Sequence, residues 1–70
     1  MIKVGDLVRY IWNDAVGLVV ERGYDERTDD IILLVEWPQW YAKQMNAMSN
    51  RWWVKKDRFL SKVEKGTKDE

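Results

Sequence analysis

The stretch Arg51-Trp-Trp-Val-Lys-Lys-Asp-Arg58 interleaves cations with indole rings. Cations neutralise phosphates and indoles stack on bases, so Arg51, Lys55, Lys56 and Arg58 form a candidate nucleic-acid contact. The competing reading is a strand whose charges are a solvated face. Successive side chains of a strand point to opposite faces, so Trp52 and Trp53 cannot share one side of a sheet. A second aromatic cluster, Trp37-Pro-Gln-Trp-Tyr41, either offers flat rings to a peptide or protein partner or closes the end of a small fold. Trp40, Tyr41, Trp52 and Trp53 are therefore the candidate protein-contact residues.

Other constellations carry less. Asp25-Glu-Arg-Thr-Asp-Asp30 gathers four carboxylates. Calcium takes oxygen ligands, but the spacing is not that of an EF-hand and no glycine stands at its turn. The stretch reads as a solvated acidic loop, and no metal ligand is assigned. Histidine and cysteine are absent. Ser-His-Asp catalysis, thiol nucleophiles, disulfides and Cys/His zinc sites are thereby excluded. Acid–base work would fall to Asp, Glu, Lys or Tyr alone. No glycine-rich phosphate loop occurs. The expectation is a non-enzyme with no catalytic residue, no cofactor and no small-molecule substrate. So small a domain also leaves little room for a pocket of roughly 300 Å³.

Charge is uneven along the chain. Residues 1–42 hold four basic and eight acidic side chains, a balance of −4; residues 43–68 hold eight basic and two acidic, a balance of +6. Asp69 and Glu70 bring the total to zero. A chain dipolar in sequence can associate with itself head to tail, acidic face on basic face.

The elements that must position these residues are short. The 70 residues make one domain, with 46% hydrophobic residues and five Trp to build a dense core. Leu7–Trp12 and Val16–Arg22 are rich in β-branched and aromatic residues and predict an antiparallel hairpin. Gly23–Asp30 predicts a polar loop. Ile31–Trp37 predicts a third strand, ended by Pro38, which lacks the donor a ladder needs. Residues 38–50 suit a short helix or a turn. Arg51–Lys55 predicts a fourth strand, residues 56–59 a single tight helical turn, and Leu60–Val63 a fifth strand. Residues 1–65 form the expected domain, and 66–70 read as a disordered tail. Tyr10, Leu18, Val20, Leu33, Val35 and Phe59 are the expected core. No run approaches the roughly 20 apolar residues of a membrane span, and no leader pattern opens the sequence.

Lys3-Val-Gly-Asp-Leu-Val-Arg-Tyr10, Gly17-Leu-Val-Val-Glu21, Ile32-Leu-Leu-Val-Glu-Trp37 and the closing Asp57-Arg-Phe-Leu60 together resemble small Src-homology-3-like barrels of the KOW and Tudor type. They are similar in particular to short uncharacterised proteins of tailed phages. The resemblance spans roughly residues 3 to 63 and rests on short apolar motifs. It implies an all-β, five-stranded antiparallel barrel with the short helical segment between strands 3 and 4. It also implies a cytoplasmic location, or the virion for a structural protein. The Asn13–Val16 loop is shorter and less basic than in KOW nucleic-acid binders, which weakens any transfer of RNA binding. The 38–50 segment is longer than a simple hairpin needs. The resulting expectation is a binding or assembly module for a protein partner or a second copy, with nucleic acid as the alternative ligand.

Overall fold

The computed structural model describes residues 1–63. Five antiparallel strands form one sheet: β1 (Leu7–Tyr10), β2 (Val16–Asp25), β3 (Asp30–Glu36), β4 (Arg51–Val54) and β5 (Leu60–Lys62). Their order across the sheet is β4-β3-β2-β1-β5. One short helix, α1 (Gln39–Gln44), lies between β3 and β4, and a single 3-10 turn (Asp57–Phe59) precedes β5. The chain is thus mostly β, and β4 and β5 leave the sheet open at its two edges. The expected tail, 66–70, lies outside the described residues.

Turn chemistry sets the strand limits. β1 ends at Tyr10, two residues before the expected Trp12, because the chain turns there. Asp14 adopts φ 62°, a left-handed conformation that Asp and Asn tolerate best, and Asn13 Oδ1 accepts the Ala15 N–H at 3.1 Å. β2 runs on to Asp25, through residues expected to be loop. The reversal to β3 is completed at Asp29, also left-handed at φ 59°. Tyr24 and Asp25 pair with Ile31 and Asp30, so the acidic segment is the tip of a long hairpin.

The inner face of the sheet carries Val8, Val19, Leu33, Val35 and Val54, with Trp37, Tyr41 and Leu60 completing the core. Leu33 and Val35 are buried as expected, and Tyr10 and Phe59 pack half-buried against the cluster. Leu18 and Val20 correct the expectation. Leu18 is 38% exposed, and Val20 is half-buried. The phase of β2 is set instead by Gly17 and Val19. Gly17 faces inward because Trp37 fills the space above it. A β-bulge between Val19 and Glu21 then shifts the register against β3.

A Cβ at Gly17 would stand 2.8 Å from the Trp37 ring, 2.5 Å from Val35 Cγ1 and 2.8 Å from the Glu36 carbonyl oxygen. The carbonyl is ladder backbone and cannot swing aside. Gly17→Ala is therefore expected to lower stability by about 1–3 kcal/mol through overpacking. Urea unfolding measures this, and an unchanged midpoint would show that the sheet absorbs the methyl group.

Candidate functional site

Pro38 ends β3, and the chain leaves the sheet as an excursion clamped at its base. The Trp37 N–H donates to the Asn50 carbonyl at 2.7 Å, and Asn50 Nδ2 donates to the Trp37 carbonyl at 2.9 Å. Between these points α1 presses Tyr41 and Ala42 into the core and turns Trp40 outward. Asn46, left-handed at φ 55°, reverses the chain towards β4.

The excursion builds a run of touching aromatic rings. Phe59 meets Trp12 at 4.9 Å, Trp12 meets Tyr10 at 5.2 Å, and Tyr10 meets Trp37 at 6.1 Å. Trp37 meets Tyr41 at 5.1 Å and Trp52 at 5.9 Å, and Tyr41 meets Trp40 at 5.7 Å. Most of these contacts are edge-on or tilted, the arrangements that aromatic quadrupoles favour. Trp37 is 1% exposed, and its indole Nε1 has no partner among the described residues. Burying a bare donor costs about 1–3 kcal/mol, which the ring contacts must offset. Two of its rings are open to solvent: Trp12 is 63% exposed and Trp40 53%. A groove of about 180 Å³, lined by Tyr10, Tyr41, Met45, Phe59 and the Trp52–Lys55 stretch of chain, runs along it. Met45 is more than half exposed at its edge.

The sequence-derived contact residues therefore separate. Trp40 is on the open surface. Trp52 is half-buried within the aromatic run. Tyr41 is 3% exposed, so its ring is a core residue with only an edge at the groove; the helix that exposes Trp40 buries its neighbour. Trp53, paired with Leu34, lies on the opposite face of the sheet and packs over Gly23 and Ile32. Trp12 and Met45 belong to the site and were not singled out from sequence, and Phe59, expected as core alone, belongs to it as well. Trp12 beside the Asn13-Asp14 turn was the available signal, since a ring at a turn has no strand neighbour to cover it.

The basic residues do not gather into a free stripe. Arg51 is bound to Glu36 at 2.8 Å and Lys56 to Asp30 at 3.0 Å. Lys55 borders an open hollow of about 450 Å³ with Trp53, Tyr24, Ile32, Asp25 and Glu26, and this hollow exceeds the room expected of so small a domain. Arg58 stands exposed on the 3-10 turn. Of the acidic loop, Tyr24 hydroxyl donates to Asp29, and Asp25 is engaged by Arg27. Among the described residues, no group of three or more His, Cys, Asp or Glu could hold a metal ion, and no helix is long and apolar enough to cross a membrane. No family model, curated protein or solved structure matches this chain.

Two carboxyls are held below the ordinary 3.8: Asp30 chiefly by its hydrogen bond from Lys56, with Thr28 adding a second, and Asp6 chiefly by the Lys3 N–H. A carboxyl lowered by folding contributes stability that is complete above its unfolded value and lost as pH falls through its folded value. Stability is therefore expected to decline as pH drops below about 4. Asp30→Asn flattens that decline. Urea midpoints across this range test it, and an identical acid slope in the variant would show that Asp30 is not responsible.

Proposed function

We propose that this chain is a non-catalytic binding module that docks a protein partner on the aromatic and methionine surface around α1, β4 and the 3-10 turn. The observation that carries the reading is the concentration of exposed large apolar side chains there. Met45 lines the groove, Trp12 touches its Tyr10 and Phe59, and Trp40 touches its Tyr41; all three are more than half exposed. Singly scattered apolar residues need no explanation, whereas a contiguous patch marks an interaction site. Trp supplies a rigid anchor, and unbranched Met adapts to irregular shapes. The five-stranded antiparallel sheet, a β1–β4 meander with β5 returning to pair with β1, supports placing the fold among the small Src-homology-3-like barrels. The phage-like motifs support a setting in the cytoplasm or the virion.

Nucleic acid is the weaker reading. Of its four candidate cations, Arg51 and Lys56 are already engaged by Glu36 and Asp30. Phosphate binding would have to displace those carboxylates.

A random peptide library displayed on phage, panned on the immobilised full chain, tests the proposal. Recovered peptides are expected to bind the wild type with little dependence on salt, and to lose at least about tenfold in affinity against Trp40→Ala or Trp12→Ala. Trp fluorescence titrated in parallel with single-stranded and duplex oligonucleotides is expected to stay unchanged at low salt. Oligonucleotide quenching that fades steeply as salt rises would replace the protein reading with the nucleic-acid one.

A further inference from the structure

One wall of the aromatic groove is not made by aromatic rings. The groove touches Trp52, Trp53, Val54 and Lys55 in succession. Successive side chains of a strand point to opposite faces. Trp52 and Val54 face inward, whereas Trp53 packs on the outer face over Gly23 and Ile32, with Lys55 beside it. A groove in contact with all four therefore runs along the edge of β4, against its backbone. β4 is an end strand of the sheet, with β3 on one side and, among the described residues, no strand on the other.

The β3–β4 ladder fixes which backbone groups face this edge. Opposed residues of an antiparallel pair alternate between those that exchange hydrogen bonds and those that do not. The Trp37 N–H donates to the Asn50 carbonyl at 2.7 Å, and the register continues from there as Glu36–Arg51, Val35–Trp52, Leu34–Trp53 and Leu33–Val54. Trp52 and Val54 thus direct their N–H and C=O groups to β3, and Arg51 and Trp53 turn theirs to the free edge. The Arg51 N–H is met there by Ser49 Oγ at 3.2 Å. The Trp53 N–H and C=O have no partner among the described residues. A strand edge left bare in this way is a template for another extended chain.

We infer that the groove takes its protein partner as an extended strand, added to β4 through the Trp53 N–H and C=O. The inference rests on the docking function proposed above and names the form of the docked segment. Main-chain hydrogen bonds hold such a segment, and its alternate side chains are read by what they meet. On the inner side they meet Tyr10, Tyr41, Met45, Trp52 and Phe59, which accept apolar side chains. On the outer side they pass Lys55 and the solvent, which suit polar ones. The partner is therefore a segment of alternating apolar and polar residues with no proline where it pairs with Trp53. A helix does not fit, because its backbone groups are already bonded to one another. A second copy of this chain does not fit either. Its β4 edge is recessed between its own Met45 and Phe59, and two recessed edges cannot meet.

The probe is the tightest-binding peptide recovered when a random library is panned on the full chain. Amide hydrogen exchange followed by NMR reads the edge directly. In the free chain the Trp53 N–H is expected to exchange faster than those of Trp52 and Val54, and to slow at least about tenfold when the peptide is bound. Trp53→Pro removes that N–H where the ladder to β3 loses no bond. It is expected to weaken peptide binding at least about tenfold while far-UV circular dichroism stays native. Trp53→Val keeps the N–H and is expected to cost no more than about threefold. Single N-methylations walked along the peptide need no variant of the chain, and losses are expected at every second residue of the paired stretch. A peptide that is lost with Trp40→Ala, yet leaves the Trp53 N–H unprotected and tolerates every N-methylation, overturns the added strand and leaves the docking surface standing. Recovery of no peptide overturns both. A Trp53 N–H that becomes protected without peptide as the chain is concentrated, in step with a sedimenting species of twice the chain mass, assigns the edge to a second copy and also overturns the proposal.

Discussion

The fold depends on Trp37 lying where Gly17 has no side chain. Trp37, the residue after β3, keeps that strand's inward phase, and β2 passes beneath its indole with only a Cα between. The close approach fixes the phase of β2, because turning Gly17 outward would bring Leu18 into the indole's place. A one-residue slip inverts every side chain of a strand, so this contact also decides that Val19 is core and that Leu18 is not. From Trp37 the aromatic run spreads through Tyr41 and Trp52 on one side and Tyr10 on the other. Exposed Trp40 rests on buried Tyr41, and exposed Trp12 is held against half-buried Tyr10 and Phe59, so an incoming partner meets a surface already ordered. Less side-chain freedom then remains to be lost on binding.

Charge is arranged with the opposite effect. In sequence the two signs are segregated. In the fold, Arg51 meets Glu36, Lys56 meets Asp30 and Lys62 lies 3.7 Å from Asp6, each a cation from the later part of the chain beside a carboxylate from the earlier part. Antiparallel pairing brings the halves together row by row, and the linear dipole is folded onto itself. Exposed pairs of this kind contribute little to stability, typically below about 1 kcal/mol. Their consequence is for recognition: three of the later cations are already matched, which leaves apolar shape more weight in discriminating between partners.

Much of this was legible in the residues. All five expected strands form, with β1 ending two residues early and β2 running three residues into the expected loop; Pro38 stops β3, and the single turn before β5 falls within its expected span. Leu33 and Val35 are core because Ile31–Val35 of β3 is apolar throughout and either phase would bury an aliphatic side chain. β2 was misread for a physical reason. Leu18 and Val20 look like the better core pair on size, and only a long-range contact with Trp37 explains why a glycine takes the inward place. Tyr41 and Trp40 are adjacent on a six-residue helix, too short for any periodicity to say which faces the core. The site residues missed, Trp12 and Phe59, are brought together by β1–β5 pairing, which no local pattern announces.

That same pairing gives the chain an order of assembly. β1 to β4 form a meander in which each strand can pair with the one before it as it leaves the ribosome, at short loop-closure cost. β5 is made after the others, and its partner is β1, about fifty residues earlier. Until Leu60 arrives, Val8 lacks a neighbour on that side, and the free edge of β1 is open to any other strand. A nascent chain stopped before residue 60 therefore presents both an apolar hollow and an unpaired edge, the two features by which chaperones and proteases recognise unfinished protein. The last three-residue strand is the step that withdraws the molecule from that surveillance.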